Sequence, residues 1–203
     1  MSNKPRMLVT APVTTRSGYG AHARDIVLSL LDLDKYDVAV YPVRWGNTAM
    51  DYLDETDKQH KRILDVLLYE LSEKTYPQPD YHVHIVIPNE FQQWGKTYNI
   101  GITAGTEFTA IPGEWIDGLN KMDMTIVPSH FTKNVCINTK FDKLNDKTNE
   151  KIGEAMVEKP IEVLFEGYDD KLYSPTNIIK SDLTTQLNTI KEDFCFLVCG
   201  HWL

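Results

Sequence analysis

Short apolar runs alternate with amphipathic stretches along almost the whole chain, and this alternation constrains the fold more than any single residue. Met7-Leu8-Val9-Thr10-Ala11 is apolar and β-prone and stops at Pro12. After a loop of small and polar residues, Ala23, Ile26, Val27, Leu30 and Leu31 recur at helical spacing, which implies one buried face. A second strand is expected over Tyr36 to Val43, and a helix over Asp51 to Lys74 with an apolar stripe of Ile63, Leu64, Leu67, Leu68 and Leu71, stopped by Pro77 and Pro79. Further strands are expected over Tyr81 to Ile87, Tyr98 to Ala104, Met122 to Val127 and Ile161 to Phe165. Helices are expected to start around Pro112 and, with Ser129 as N-cap, after Pro128. Strand–helix alternation of this kind predicts an α/β, Rossmann-like parallel sheet with helices on both faces. Ligands in such sheets bind beyond the carboxyl ends of the strands.

The late part of the chain is less regular. Phe141 to Lys159 is highly charged and is expected to be a surface excursion. Ser181 to Lys191 predicts a helix. Phe194 to Cys199 predicts a buried strand in which Cys195 and Cys199 act as small core hydrophobes. The chain of 203 residues therefore divides, on this reading, into one α/β domain over 1–180 and a linker helix plus one orphan strand over 181–203.

Charge and cysteine content narrow the function classes. Lys plus Arg is 21 against 29 for Asp plus Glu, a formal net charge of -8, so the footprint expected of a nucleic-acid partner is missing. The 3 cysteines form no CxxC pair, which suits a reducing, cytoplasmic setting. No apolar run approaches the ~20 residues needed to span a bilayer, and the N-terminus lacks the apolar core of a signal peptide.

Four constellations fall at predicted strand ends. Ser17-Gly18-Tyr19-Gly20 precedes the first helix, where glycines and free N–H groups favour an anion, although the spacing departs from GxGxxG. His22 follows, placed either toward a ligand or toward solvent. His82 and His84 share one strand face, with Asn89 and Glu90 beyond its end. Two histidines at this spacing hold a metal only with further ligands, and no carboxylate–histidine set accompanies them, so they read as packing residues. Gly105-Thr106-Glu107 ends the next strand and Trp115 starts the helix after it. A carboxylate there accepts hydrogen bonds from sugar hydroxyls, acts as a base or is simply solvated, and an indole there stacks on a sugar ring or packs into the core. Val127-Pro128-Ser129 and Glu166-Gly167-Tyr168-Asp169 with Tyr173-Ser174-Pro175 complete the series.

Taken in order, these segments and the final Phe196-Leu197-Val198-Cys199-Gly200 resemble the retaining, GT4-like glycosyltransferases of the GT-B fold. The resemblance implies an N-terminal, acceptor-side half of a two-domain enzyme that moves a sugar from a nucleoside diphosphate sugar to an acceptor hydroxyl, with no cofactor and no metal. It implies that Gly18, Tyr19 and Gly20 lie near the donor diphosphate and acceptor, that Glu107 and Trp115 line the acceptor side, and that Ser129 and Lys133 lie at the cleft rim. Glu107 stands where many relatives carry a histidine. The family's donor-binding positions have no counterpart, so the resemblance implies a donor half supplied by a second chain or by a missing part of a truncated or split enzyme. The orphan C-terminal strand, if it leaves an exposed edge, favours self-association. A non-catalytic carbohydrate- or nucleotide-binding module is the alternative.

Overall fold

The computed structural model describes residues 4–72, 76–145, 147–171, 173–174 and 182–196. The chain divides into two compact units, Met1–Glu166 and Gly167–Leu203. The expected divide at residue 180 lies outside the described residues.

The first unit is built on strands β1 (Arg6–Ala11), β2 (Asp37–Pro42), β3 (Tyr81–Ile85), β4 (Tyr98–Ile102), β5 (Met124–Val127) and β8 (Ile161–Val163). They form one sheet in the order β2-β1-β3-β4-β5-β8, and every pairing is parallel. This is the α/β, Rossmann-like fold that the alternation predicts. A detail at the β2 edge completes the pattern. Val40 receives a parallel bridge from Leu67, made by Val40 N–H to Val66 O at 2.9 Å and Leu68 N–H to Val40 O at 2.7 Å. Counting that short segment, the order runs third, second, first, then fourth onward, which is the doubly wound order with its reversal between β1 and β3.

The helices take the two faces unequally. Helices α1 (Gly18–Leu33) and α2 (Lys58–Leu64) cover the face carrying Met7, Val9, Val38, Val40, Val83 and Ile85. Helices α3 (Gly113–Lys121) and α4 (His130–Asn138) enclose a second core with Val127 and Ile161 at the other end of the sheet. Strand alternation explains the split, since Val83 and Ile85 point one way and His82 and His84 the other.

Three sequence expectations change. The helix expected over Asp51 to Lys74 shrinks to α2. Asp57 caps its start, accepting from the amides of Gln59 at 2.7 Å and His60 at 3.0 Å. Its end comes early because the open edge of β2 offers Val66–Leu68 backbone partners, and a run of leucines suits an edge strand as well as a helix stripe. The excursion over 141–159 contains an exposed antiparallel hairpin of β6 (Phe141–Leu144) and β7 (Lys151–Ala155). The strand expected from Phe194 is not formed over 194–196. Cys195 is exposed rather than a core residue, and Phe194 and Phe196 are 74% and 90% exposed. A strand needs a neighbour for its ladder, and no described residue pairs with this segment. Its continuation, including Cys199, and the start of the expected helix at Ser181 lie outside the described residues. The helix itself is α5 (Asp182–Leu187).

Candidate functional site

The loop from β1 to α1 is held rigid from within. Thr15 Oγ1 donates to Pro12 O at 2.8 Å, which spends its only proton, so the 2.8 Å contact to Ser17 is a donation by Ser17 Oγ. Ser17 is the N-cap of α1 and accepts from the amide of Gly20 at 3.0 Å. That amide is therefore occupied. Gly20 is required for another reason, because a Cβ there would lie 2.4 Å from Thr15 O. Gly18 has open space around it. Beneath the loop, buried Arg24 donates from Nη1 to the carbonyls of Val13 and Thr15, both at 2.9 Å, with its guanidinium 3.7 Å from the centre of the Tyr52 ring. Burial pushes the Arg24 pKa down, and Tyr52 opposes the shift.

Tyr19 connects this loop to the end of β4. Its hydroxyl lies 2.9 Å from Thr103 Oγ1 and accepts from the amide of Ala104 at 3.1 Å, while its ring stacks on Trp45 at 4.1 Å. Burial raises the Tyr19 pKa, and the two hydrogen bonds partly offset the rise. His22 is half-buried on the same helix, with Nδ1 3.4 Å from Glu166 Oε1.

Beyond Ala104 the chain opens a rim pocket of 730 Å³, lined among others by Thr106, Glu107, Phe108, Trp115, Ser129 and Phe131. Gly105 adopts φ +82°, and a Cβ there would lie 2.2 Å from Thr132 Cγ2, so glycine is needed to fold the loop against α4. Ser129 caps α4 by accepting from Thr132 N–H at 3.1 Å. The Glu107 carboxylate is exposed and makes no hydrogen bond or ion pair among the described residues. Lys133 Nζ lies 3.6 Å from Glu162, and Arg16 Nε 3.3 Å from Asp51, so both cations of this region have carboxylate partners. Of the residues singled out from sequence, Thr106, Glu107, Trp115 and Ser129 converge in this pocket.

Asn89 and Glu90 sit elsewhere. They lie on the 3-10 turn Pro88–Glu90, clamped beneath α3 at Gly118, where a Cβ would lie 1.8 Å from Pro88 O. They line a separate cavity of 500 Å³ on the sheet face, together with Thr10, Arg44, His84 and Trp94.

The two histidines of that face are fixed in opposite tautomers. Asn99 Nδ2 donates to Thr97 O at 2.7 Å and Asn99 Oδ1 accepts from Trp94 N–H at 2.7 Å, which identifies the amide oxygen. His82 Nδ1, 3.1 Å from that oxygen, must donate, and Thr10 Oγ1 then donates to His82 Nε2 at 3.0 Å. His84 Nδ1 instead accepts from the amide of Gln92 at 3.0 Å, which leaves the proton on Nε2. Burial lowers both pKa values. That of His84 falls to about 4, from burial first and His82 second. Among the described residues no group of three or more His, Cys, Asp or Glu side chains is placed to hold a metal ion. No helix among them is long and apolar enough to cross a membrane.

Sequence reasoning missed Trp45, Arg24, Arg44 and Trp94. Trp45 and Arg44 follow the end of β2, and the strand-end position was the available signal. Trp94 and buried Arg24 are placed by long-range packing and carry no local signal.

Comparison of the chain with protein-family models, curated proteins and solved structures finds no match. The fold and the rim together define a class, an α/β Rossmann-like protein with an open pocket at the carboxyl edge of its sheet.

Proposed function

We propose that this chain is the acceptor-side half of a glycosyltransferase that moves a sugar from a nucleoside diphosphate sugar to an acceptor hydroxyl. The observation that carries the reading is the convergence of Glu107 and Trp115 in one pocket at the carboxyl ends of β4 and β5. A carboxylate without a partner among the described residues is available to a hydroxyl, and an indole beside it suits a sugar ring. The carboxylate positions or deprotonates the acceptor oxygen, which attacks the anomeric carbon as the bond to the diphosphate breaks. Free Cys136 and Cys195 suit a reducing cytosol as the compartment.

The engagement of Arg16 and Lys133 with carboxylates favours a donor site supplied by a second chain or a further domain, because a departing diphosphate needs free cations. The same feature is what favours the second reading, a binding module without catalysis. A nucleotide-sugar panel, assayed with the chain alone and with a polypeptide carrying a donor domain, tests both. Transfer that depends on Glu107 supports the enzyme. Acceptor binding at the rim without transfer in either assay leaves the module. Transfer unchanged by both Glu107→Gln and Trp115→Ala overturns the role given to the rim.

A further inference from the structure

The sheet face over β1 and β3 is built unlike the rest of the core. In a doubly wound sheet a crossover helix normally covers this face. Here the connection from Val66–Leu68 to β3 carries no helix among its described residues. The strands meet that absence with polar residues: Thr10 of β1, His82 and His84 of β3, and Asn99 of β4 all point to the side opposite Val9 and Val83. A buried face is more cheaply made of aliphatic side chains. The polar layer therefore asks for a purpose beyond folding.

His82, Thr10 and Asn99 satisfy one another, but His84 does not close its own network. Its side chain is 4% exposed, its Nδ1 is taken by Gln92, and its Nε2–H has no partner among the described residues. That donor belongs to a residue lining the 500 Å³ cavity. The ring is buried, but Nε2 is not among the fully enclosed polar atoms that lack a partner: it meets the cavity, where a ligand acceptor takes the place of water.

The walls indicate what the ligand is. The two charged residues at the mouth, Arg44 and Glu90, are exposed and of opposite sign, and the buried groups are neutral. Asn89, Gln92 and Gln93 add side-chain amides and Trp94 adds an indole. Amides, one carboxylate and one guanidinium drawn from separate segments suit hydroxyls, which both donate and accept in several directions. The indole suits the apolar face of a ring. The volume falls within the range of ordinary ligand sites.

We propose that this cavity is a second binding site, separate from the rim pocket, that takes an uncharged pyranose ring. His84 Nε2–H donates to a ring hydroxyl, Glu90 accepts from another, and Trp94 covers the ring face. The site stands whether or not the rim serves sugar transfer.

Nuclear magnetic resonance on the isotope-labelled full chain tests it, with glucose, galactose, mannose, xylose and N-acetylglucosamine titrated to tens of millimolar. The Trp94 indole and His84 imidazole signals are expected to shift with at least one pyranose. Trp94→Ala should weaken that binding about tenfold, and Glu90→Gln, at an exposed position that does not endanger folding, should weaken it severalfold. No shift with any pyranose overturns the proposal. Shifts confined to Trp115 overturn it too, while leaving the rim reading in place. Adenosine shifting Trp94 and His84 when no pyranose does would assign the cavity to a planar heterocycle and equally overturn it.

Discussion

The hydroxyl of Tyr19 lies 2.9 Å from Thr103 Oγ1, joining the first turn of α1 to the residue that follows β4. These two residues are 84 positions apart and sit on either side of the sheet's reversal point. The same oxygen accepts from Ala104 N–H at 3.1 Å, so the phenol fixes the start of the loop that carries Thr106 and Glu107. Tyr19→Phe keeps the ring on Trp45 and removes only the hydroxyl. The variant is expected to lose about 1 kcal/mol in denaturant unfolding. The Ala104 amide should exchange with solvent faster than in the parent chain. Unchanged exchange at Ala104 would show that the tether does not organise the loop.

Gly18 and Gly20 look equivalent in the sequence and are opposite in the structure. A Cβ at Gly20 meets Thr15 O at 2.4 Å and Pro12 O at 2.9 Å, and backbone atoms do not yield cheaply. Gly20→Ala is expected to cost about 1–3 kcal/mol. Gly18→Ala meets nothing within 4 Å at a helical position and is expected to be neutral or to stabilise by up to about 1 kcal/mol. Thermal unfolding of the two variants side by side checks the contrast, and equal effects would refute it.

What was legible in the sequence was whatever depends on near neighbours. Ser129 caps α4 as its position after Pro128 predicts, because an N-cap is a local bond; Ser17 caps α1 by the same kind of bond, a role not assigned to it from the sequence. The strand ends before Pro12 and Pro128 were readable for a similar reason, whereas β3 stops at Ile85, two residues short of the expected Ile87. The leucines at 67 and 68 were not, since only the open edge of β2 decides between strand and helix for them. His82 and His84 were placed on one face by alternation, but which face lacked a helix depends on a crossover that no local pattern reports. Thr106, Glu107, Trp115 and Ser129 converge because β4 and β5 are adjacent, so strand-end logic found that pocket. Trp45 stacks on Tyr19 only because β2 and β1 are neighbours, a fact of strand order.

The β6–β7 hairpin is expected to be dispensable for the fold of the first unit. All four residues of β6 are exposed, and the pair contributes nothing to either core. Phe141 and Ala155 are ladder partners, so the chain leaves and re-enters at neighbouring points. The support for the next segment lies outside the hairpin: Asn120 Nδ2 donates to Met156 O at 2.9 Å and Asn120 Oδ1 accepts from Glu158 N–H at 2.8 Å. Replacing Asp142 to Glu154 by a short glycine linker should therefore change stability by less than about 1 kcal/mol, since loop closure depends only weakly on length. Circular dichroism and denaturant unfolding provide the check. Loss of cooperative unfolding would mean that the hairpin is part of the folding unit.

His84 should make the fold sensitive to acid. Its folded pKa is lowered to about 4 from the usual 6.5, by burial first and by the neighbouring His82 second. Between those two values the unfolded chain binds a proton that the folded chain refuses. Protonation then favours unfolding, so the stability associated with neutral His84 is complete above about pH 6.5 and is lost as the pH falls toward 4. The span corresponds to a loss on the order of 3 kcal/mol. His82, also lowered by burial, acts in the same direction, and protonating it would oppose its donation from Thr10. Denaturant unfolding at a series of pH values from 4 to 7 measures the slope. His84→Asn keeps an acceptor near the Gln92 amide and removes the titrating group, so it should flatten the slope even if its stability at neutral pH is lower. A slope unchanged by His84→Asn would place the acid sensitivity elsewhere in the chain.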